Sequence, residues 1–357
     1  LVAHLSDRIR IPFGKRRIFV VCSCVPLTLS LIFLFMPSTQ YPVIYAAIML
    51  NIFYLFFTAY QIPLNSQLPA LTYNNEAAKI NILSIRAIFG IVGVALVMVM
   101  SPLLLKIISF QQMILCMSLL ALAFCIIPGL FQEPQEIYVK SEKHSSLRQS
   151  LREIFEEKKF RQFLISLMAF WFGFNIITQV IPHIVTVLMK LPESEVGIVM
   201  GLTFGITIVF TPIMNILCKR KSLSWGFRFA LILFAIILPL LFFVDSPPYG
   251  LSAEWYGKFV IGLCGIPLAG LFTVPDGIIS DLATAESQKR QESREALLFG
   301  SIGFVLKVNF GLSTIMLGFL TQYLGQTIEN PMGIKLAGPV AAMFALLGVI
   351  AFRKFEK

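Results

Sequence analysis

Residues Leu297–Leu320 read LLFGSIGFVLKVNFGLSTIMLGFL, an apolar run with a single ionisable side chain, Lys307, near its middle. Roughly 20 apolar residues suffice to cross the hydrocarbon core of a bilayer as a helix, and a helix satisfies its backbone hydrogen bonds within the segment. A lysine at that depth costs about 3 kcal/mol on insertion scales, so it persists where it faces protein or a wet cavity, usually beside an acid. Snorkelling to the headgroups is hard from the centre of a span. The stretch therefore predicts a membrane helix and a working charge within it.

The same pattern recurs along the chain. Apolar segments run at Ile18–Met36, Val43–Leu64, Ala77–Ile108, Met113–Leu130, Phe163–Met189, Val196–Leu217, Phe227–Val244, Tyr256–Ile279, Leu297–Leu320 and Gly333–Phe352. Ten spans follow a stub, Leu1–Ser6, which reads as the tail of a further helix whose beginning lies upstream. Pro182, Pro212, Pro239 and Pro267 fall inside spans and are placed to kink them. Composition agrees: 57% of residues are hydrophobic and 13% charged, against about 25% charged in soluble domains, and the mean hydropathy is +0.81. The expected class is an all-α polytopic membrane protein.

The net charge of +10 does not indicate nucleic acid, because the basic residues are distributed over loops instead of forming one face. Of the 29 lysines and arginines, 23 fall in alternate loops, and Lys106, Lys190, Lys258 and Lys335 are the four in the others. Arg86 and Lys307 lie within spans. This asymmetry places the rich loops, and the C-terminus with Arg353, Lys354 and Lys357, in the cytoplasm. A cell (inner or plasma) membrane is expected, as the sequence has no long glycosylatable loop or organellar tail. None of the six cysteines has zinc-type spacing, so they read as buried small hydrophobes. No metal is expected. Enzyme motifs such as HExxH or a Gly-rich phosphate loop are missing, and three histidines offer little acid–base chemistry.

The longest polar segment, Gln132–Arg161, divides the chain into residues 1–131, a cytoplasmic loop 132–161, and residues 162–357. With two spans before Ile18 this gives six plus six helices, the arrangement of carriers that hold their solute at the bilayer midplane. Polar residues at helical spacing point to the cavity walls. One stripe is Asn51, Tyr54, Thr58, Gln61 and Asn65; a second is Trp171, Asn175, Gln179 and His183. A third, Thr203, Thr207, Thr211 and Asn215, reads as interhelical hydrogen bonding. Trp171 offers a face for a sugar ring or for packing, and His183 is either a satisfied core histidine or a proton relay. Gly197, Gly201 and Gly205 form a small-residue ridge suited to close helix packing. Asp276 is an acid within stretched reach of Lys307.

Four stretches carry a family resemblance. LSDRIRIPFGKRR (Leu5–Arg17), AYQIPLNSQLPALT (Ala59–Thr72), the spacing to Arg86, and VPDGIISDLATAESQKRQESREALLFG (Val274–Gly300) followed by Lys307 resemble, in order, the motifs of the glycoside–pentoside–hexuronide:cation symporters of the major facilitator superfamily, the melibiose-carrier type. The resemblance implies the major facilitator fold of two six-helix bundles, with helix 1 and most of helix 2, and the acids that bind the coupling cation, before Leu1. It implies a secondary active transporter that couples a sugar or similar polar solute to Na⁺ or H⁺ by alternating access. It gives Arg86 to solute hydroxyls, sets Lys307 between the cation and solute sites, and gives Asp7, Arg8, Arg10 and Asp281 to a cytoplasmic gate; the polar stripes add Gln61, Asn65, Trp171, Asn175 and Gln179 to solute binding, and Asp276, an acid within a span, joins Lys307 in cation coupling. Gln61 stands where the melibiose type carries an acid, and Asn65 where it carries an aromatic.

The expected partners are a small-molecule solute and the lipid bilayer, with no nucleic acid, no cofactor beyond the coupling ion, and a monomeric state. Two other readings stand beside symport: a carrier of lysolipids or other amphiphiles, and a non-transporting membrane scaffold or receptor.

Overall fold

The computed structural model describes residues 15–36, 41–71, 75–104, 107–130, 155–290 and 295–355, and among these there is no β-strand. Eleven long helices carry the architecture of the described residues: α1 (Lys15–Leu34), α2 (Pro42–Asn65), α3 (Glu76–Leu104), α4 (Phe110–Leu130), α5 (Lys158–His183), α6 (Ser194–Arg220), α7 (Leu223–Ile237), α8 (Ala253–Leu263), α9 (Gly265–Arg290), α10 (Glu295–Leu324) and α11 (Met332–Phe355). They supply ten membrane-spanning lengths among the described residues, with α8 and α9 together making one, Ala253–Gln288. These match the ten hydropathy segments. Large apolar side chains face outward along them, with Val43 80% exposed and Phe304 and Ile315 each 70% exposed. Apolar patches of this extent belong against lipid, since soluble monomers seldom show them.

Local chemistry explains where the helices start and break. The hydroxyls of Ser222 and Ser252 accept from the backbone N–H of Trp225 and Trp255, capping α7 and α8. Lys219 and Arg220 occupy the last turn of α6, where the helix dipole favours cations. Three of the four expected kinks are local changes of helix geometry. After Pro182 the chain continues as one wider π turn, Ile184–Leu188, with Met189 N–H reaching the Ile184 carbonyl. At Pro239, α7 tightens into a 3₁₀ segment, Leu238–Phe243. Pro267 stands in the first turn of α9, just after the break at Cys264. Pro212 lies within an unbroken α6.

Two compact units are present. The first comprises Leu1–Asn75, Leu96–Ile154 and Ile279–Gly303. In it α1 packs against α2 and α4. Arg17 Nε donates to the Gly129 carbonyl, so a cation closes the C-terminal end of α4. Tyr60 donates to the Cys125 carbonyl at 3.2 Å, tying α2 to α4.

The second unit comprises Glu76–Ala95, Phe155–Ile278 and Phe304–Lys357. Its densest seam joins α5 and α11. Phe172 meets Phe344 at a ring separation of 4.1 Å, and Phe163 packs against Phe352. Gly173 allows the approach, because a Cβ there would stand 2.9 Å from the Ala341 carbonyl oxygen. Close small-residue packing therefore occurs here and not at Gly197, Gly201 and Gly205. A Cβ on any of those three would meet nothing within 4 Å among the described residues, so no described helix packs closely on that ridge. The cysteines divide likewise: Cys24, Cys218 and Cys264 are buried, whereas Cys22 and Cys116 face outward.

Candidate functional site

The site residues of the second unit gather around Trp171 on α5. Its indole is half-buried and meets Phe310 of α10 at 5.6 Å and Phe272 of α9 at 6.0 Å, with Phe170 and Phe174 on its own helix. Three helices thus converge on one aromatic cluster. Side-chain amides fix α5 to α10. Asn175 Nδ2 donates to the Phe310 carbonyl at 3.3 Å and to the Ser313 hydroxyl, and Gln179 Nε2 donates to Thr314 Oγ1 at 3.0 Å. Asn309 Nδ2 adds a bond to the Met168 carbonyl at 3.1 Å. The donors of both amides here serve helix pairing.

The charges lie one turn from this cluster. Asp276 follows Phe272 by four residues on α9, and Lys307 precedes Phe310 by three on α10, so each shares a helix face with the ring it neighbours in sequence. Both acid and amine are half-buried. Arg86 on α3 closes the arrangement, with its Nη1 2.9 Å from Asp276 Oδ2. Gly277 explains the close approach: a Cβ there would come within 2.7 Å of Leu83 on α3 and 2.8 Å of Leu223 at the start of α7. Asp276, which the sequence places near Lys307, is thus engaged by Arg86.

The third stripe behaves as packing. Thr203, Thr207 and Thr211 are buried and return their hydroxyl protons to carbonyls one turn back, and Thr203 also donates to the Ile261 carbonyl on α8. Asn215 reaches α3, donating to Ser84 Oγ at 2.8 Å. His183 Nδ1 is buried without a hydrogen-bond partner among the described residues, so the satisfied core histidine is not what the structure shows. An apolar cavity of about 30 Å³ lies behind Phe174, between α5 to α9. A cavity of that size without polar partners stays dry and is too small for a solute.

Gln61 and Asn65 lie half-buried at the end of α2 in the first unit. Higher on that stripe Asn51 and Thr58 bond carbonyls of their own helix. Asp281 is exposed on α9, in the first unit. Its expected gate partners Asp7, Arg8 and Arg10 lie outside the described residues, as does most of the segment 132–161. Sequence reading missed Phe272 and Phe310, since a phenylalanine in an apolar run looks like filler. Their spacing to Asp276 and Lys307 was the available signal.

At the ends of the second unit opposite Arg161 and Lys219, two lysines form ion pairs. Lys258 Nζ stands 2.6 Å from Glu254 Oε1 and 2.9 Å from Glu195 Oε2, and Lys335 Nζ stands 2.6 Å from Asp245 Oδ2.

Comparison with known proteins gives the family. The family model described as MFS/sugar transport protein matches residues 1–350. Among solved structures, a bacterial homologue of the iron transporter ferroportin in an outward-facing state has a TM-score of 0.71 at 14% identity, covering 99% of this chain and 85% of that one. The E. coli fucose:proton symporter FucP has a TM-score of 0.68 at 10% identity, covering 96% and 84%. No curated protein matches the chain. At these identities the two structures speak for the fold, and the family model for membership. With its spans, its intramembrane charges and this match over nearly its whole length, the chain belongs to the MFS/sugar transport protein family and is a multi-pass membrane transporter of the major facilitator superfamily.

Proposed function

We propose that the chain carries a sugar or a similar polar solute, coupled to Na⁺ or H⁺ and moved by alternating access between two halves, residues 1–131 and 162–357. The observation that carries this reading is the Arg86–Asp276 pair, held inside the spans one turn from the Trp171 cluster. Trp171 stacks on the apolar face of a sugar ring, as indoles do with amphipathic rings. The guanidinium of Arg86 has five N–H donors in a rigid fork, suited to solute hydroxyls. Gln61, Asn65, Asn175 and Gln179 contribute polar contacts as the carrier cycles. Lys307 and Asp276 connect the solute to the coupling ion, and Asp7, Arg8, Arg10 and Asp281 form the gate.

The transporter sits as a monomer in a cell membrane with its C-terminus in the cytoplasm, a topology supported by the loop charge asymmetry. Uptake into proteoliposomes tests the proposal, using a panel of labelled mono- and disaccharides with and without a Na⁺ or proton gradient. Accumulation of one sugar driven by one gradient is expected. Flux indifferent to both gradients removes symport, and no flux of any sugar removes the sugar reading.

A further inference from the structure

We infer that the Arg86–Asp276 ion pair is itself the coupling element: the coupling ion takes the Asp276 carboxylate, and the guanidinium so released binds the solute. The inference rests on the proposed symport and assigns it a mechanism. Arg86 Nη1 meets Asp276 Oδ2 at 2.9 Å, and the two side chains are 42% and 29% exposed, so an ion or a solute can reach either partner. The carboxylate is a ligand for Na⁺ or a site for H⁺, and the guanidinium is a hydroxyl donor. While paired, each group occupies the other's best site. A guanidinium that loses its carboxylate within a span is left without its charge partner, so any acceptor that takes that place is favoured. A solute hydroxyl one turn from the Trp171 face supplies one.

The surroundings leave few competitors. The elements packed near Asp276 are α3 and α7, through Leu83 and Leu223, and α5, through Phe272 against Trp171. Their charged groups are Glu76, Lys79 and Arg86 on α3 and Arg228 on α7, while α5 has none between Arg161 and His183. On α9 the next acid is Asp281, and α10 adds Lys307. Among the described residues of these helices, Asp276 is the carboxylate one turn from Phe272, with cations on three neighbouring helices. The exchange makes ion and solute binding mutually favourable, the linkage that symport requires.

Two readouts test this on the full chain in proteoliposomes. In a Trp225→Phe/Trp255→Phe background, Trp171 is the sole indole and reports on Phe272, one turn from Asp276. Adding NaCl against choline chloride at fixed pH, or lowering pH without Na⁺, is expected to change its emission for one of the two ions. Asp276→Asn should abolish that response, Asp276→Glu should keep it with a shifted midpoint, and Asp245→Asn should leave it as in the background. For the panel sugar taken up fastest, saturating ion should lower KM about tenfold in the wild type. In Asp276→Asn, KM should stay within twofold with or without ion, with counterflow retained and uphill accumulation lost. An unaltered ion response and wild-type accumulation in Asp276→Asn would overturn the inference and leave symport standing. Absence of sugar flux in the wild type, with the emission change intact and dependent on Asp276, would overturn the sugar reading and leave the ion exchange standing.

Discussion

Asn175 Nδ2 lies 3.3 Å from the carbonyl oxygen of Phe310, the residue whose ring packs on Trp171, so one amide sets the register between α5 and α10 at the level of the aromatic cluster. Interhelical bonds of this kind are worth about 0.6–2 kcal/mol in membranes. Asn175→Leu should therefore lower the melting temperature in detergent by a few degrees while insertion is preserved. Thermal unfolding followed by intrinsic fluorescence measures this, and an unchanged melting temperature would show that the amide does not hold the two helices.

Lys307 and Arg86 bear on transport instead of assembly. Lys307→Ala and Arg86→Ala should each abolish gradient-driven uptake with membrane yield close to wild type. Removing a charge from a span lowers the insertion cost, so yield should not fall on that account. Wild-type uptake rates in both variants would take these residues out of the mechanism.

Gly265 and Gly201 offer a matched pair. A Cβ at Gly265 would run into the Thr203 carbonyl oxygen and stand 2.9 Å from Ile206, whereas one at Gly201 meets nothing within 4 Å. Overpacking typically costs about 1–3 kcal/mol. Gly265→Val should therefore cut the monodisperse yield severalfold, and Gly201→Val should leave it within about twofold. Size-exclusion chromatography of both variants side by side decides the matter, and equal yields would refute the close approach of α6 and α9.

Lys258 braces the start of α6 to that of α8 through Glu195 and Glu254, with the lysine side chain 23% exposed. Ion pairs at the membrane–water boundary contribute little and are screened by salt. Lys258→Met should shift the melting temperature by about a degree or two in low salt, a difference expected to vanish near 1 M NaCl. A large loss of stability at both salt concentrations would show that the lysine holds more than its two carboxylates.

Much of the fold was legible in sequence because lipid leaves the backbone so few options. An apolar run of the right length becomes a helix whatever its neighbours do, and the ten hydropathy segments are the ten spanning lengths. What touches what was less legible. The stripe Trp171, Asn175, Gln179 lies on one face as its spacing requires, yet nothing in that spacing reveals that Ser313 and Thr314 accept from the two amides. The pairing of Arg86 with Asp276 joins residues far apart in the chain, on helices brought together by Gly277, and the sequence offered the acid only a stretched reach to Lys307. The Gly197–Gly205 ridge failed for a related reason: spacing shows that a face is small, not that another helix covers it. Pro182, Pro239 and Pro267 announced irregularity correctly, but which form it took depended on neighbouring packing.

The crossing Ala253–Gln288 is made of two rods joined at Cys264, and both lie against α6. The first is pinned to α6 where Thr203 donates to Ile261, while the second bears Phe272 and Asp276. At 1.5 Å per residue the carboxylate lies roughly 18 Å down the second rod, so a pivot of about 10° at Cys264 would swing it by about 3 Å. That swing is as long as the 2.9 Å contact it carries. Any small angular play at this joint would thus be geared up at an ion pair more than three turns away.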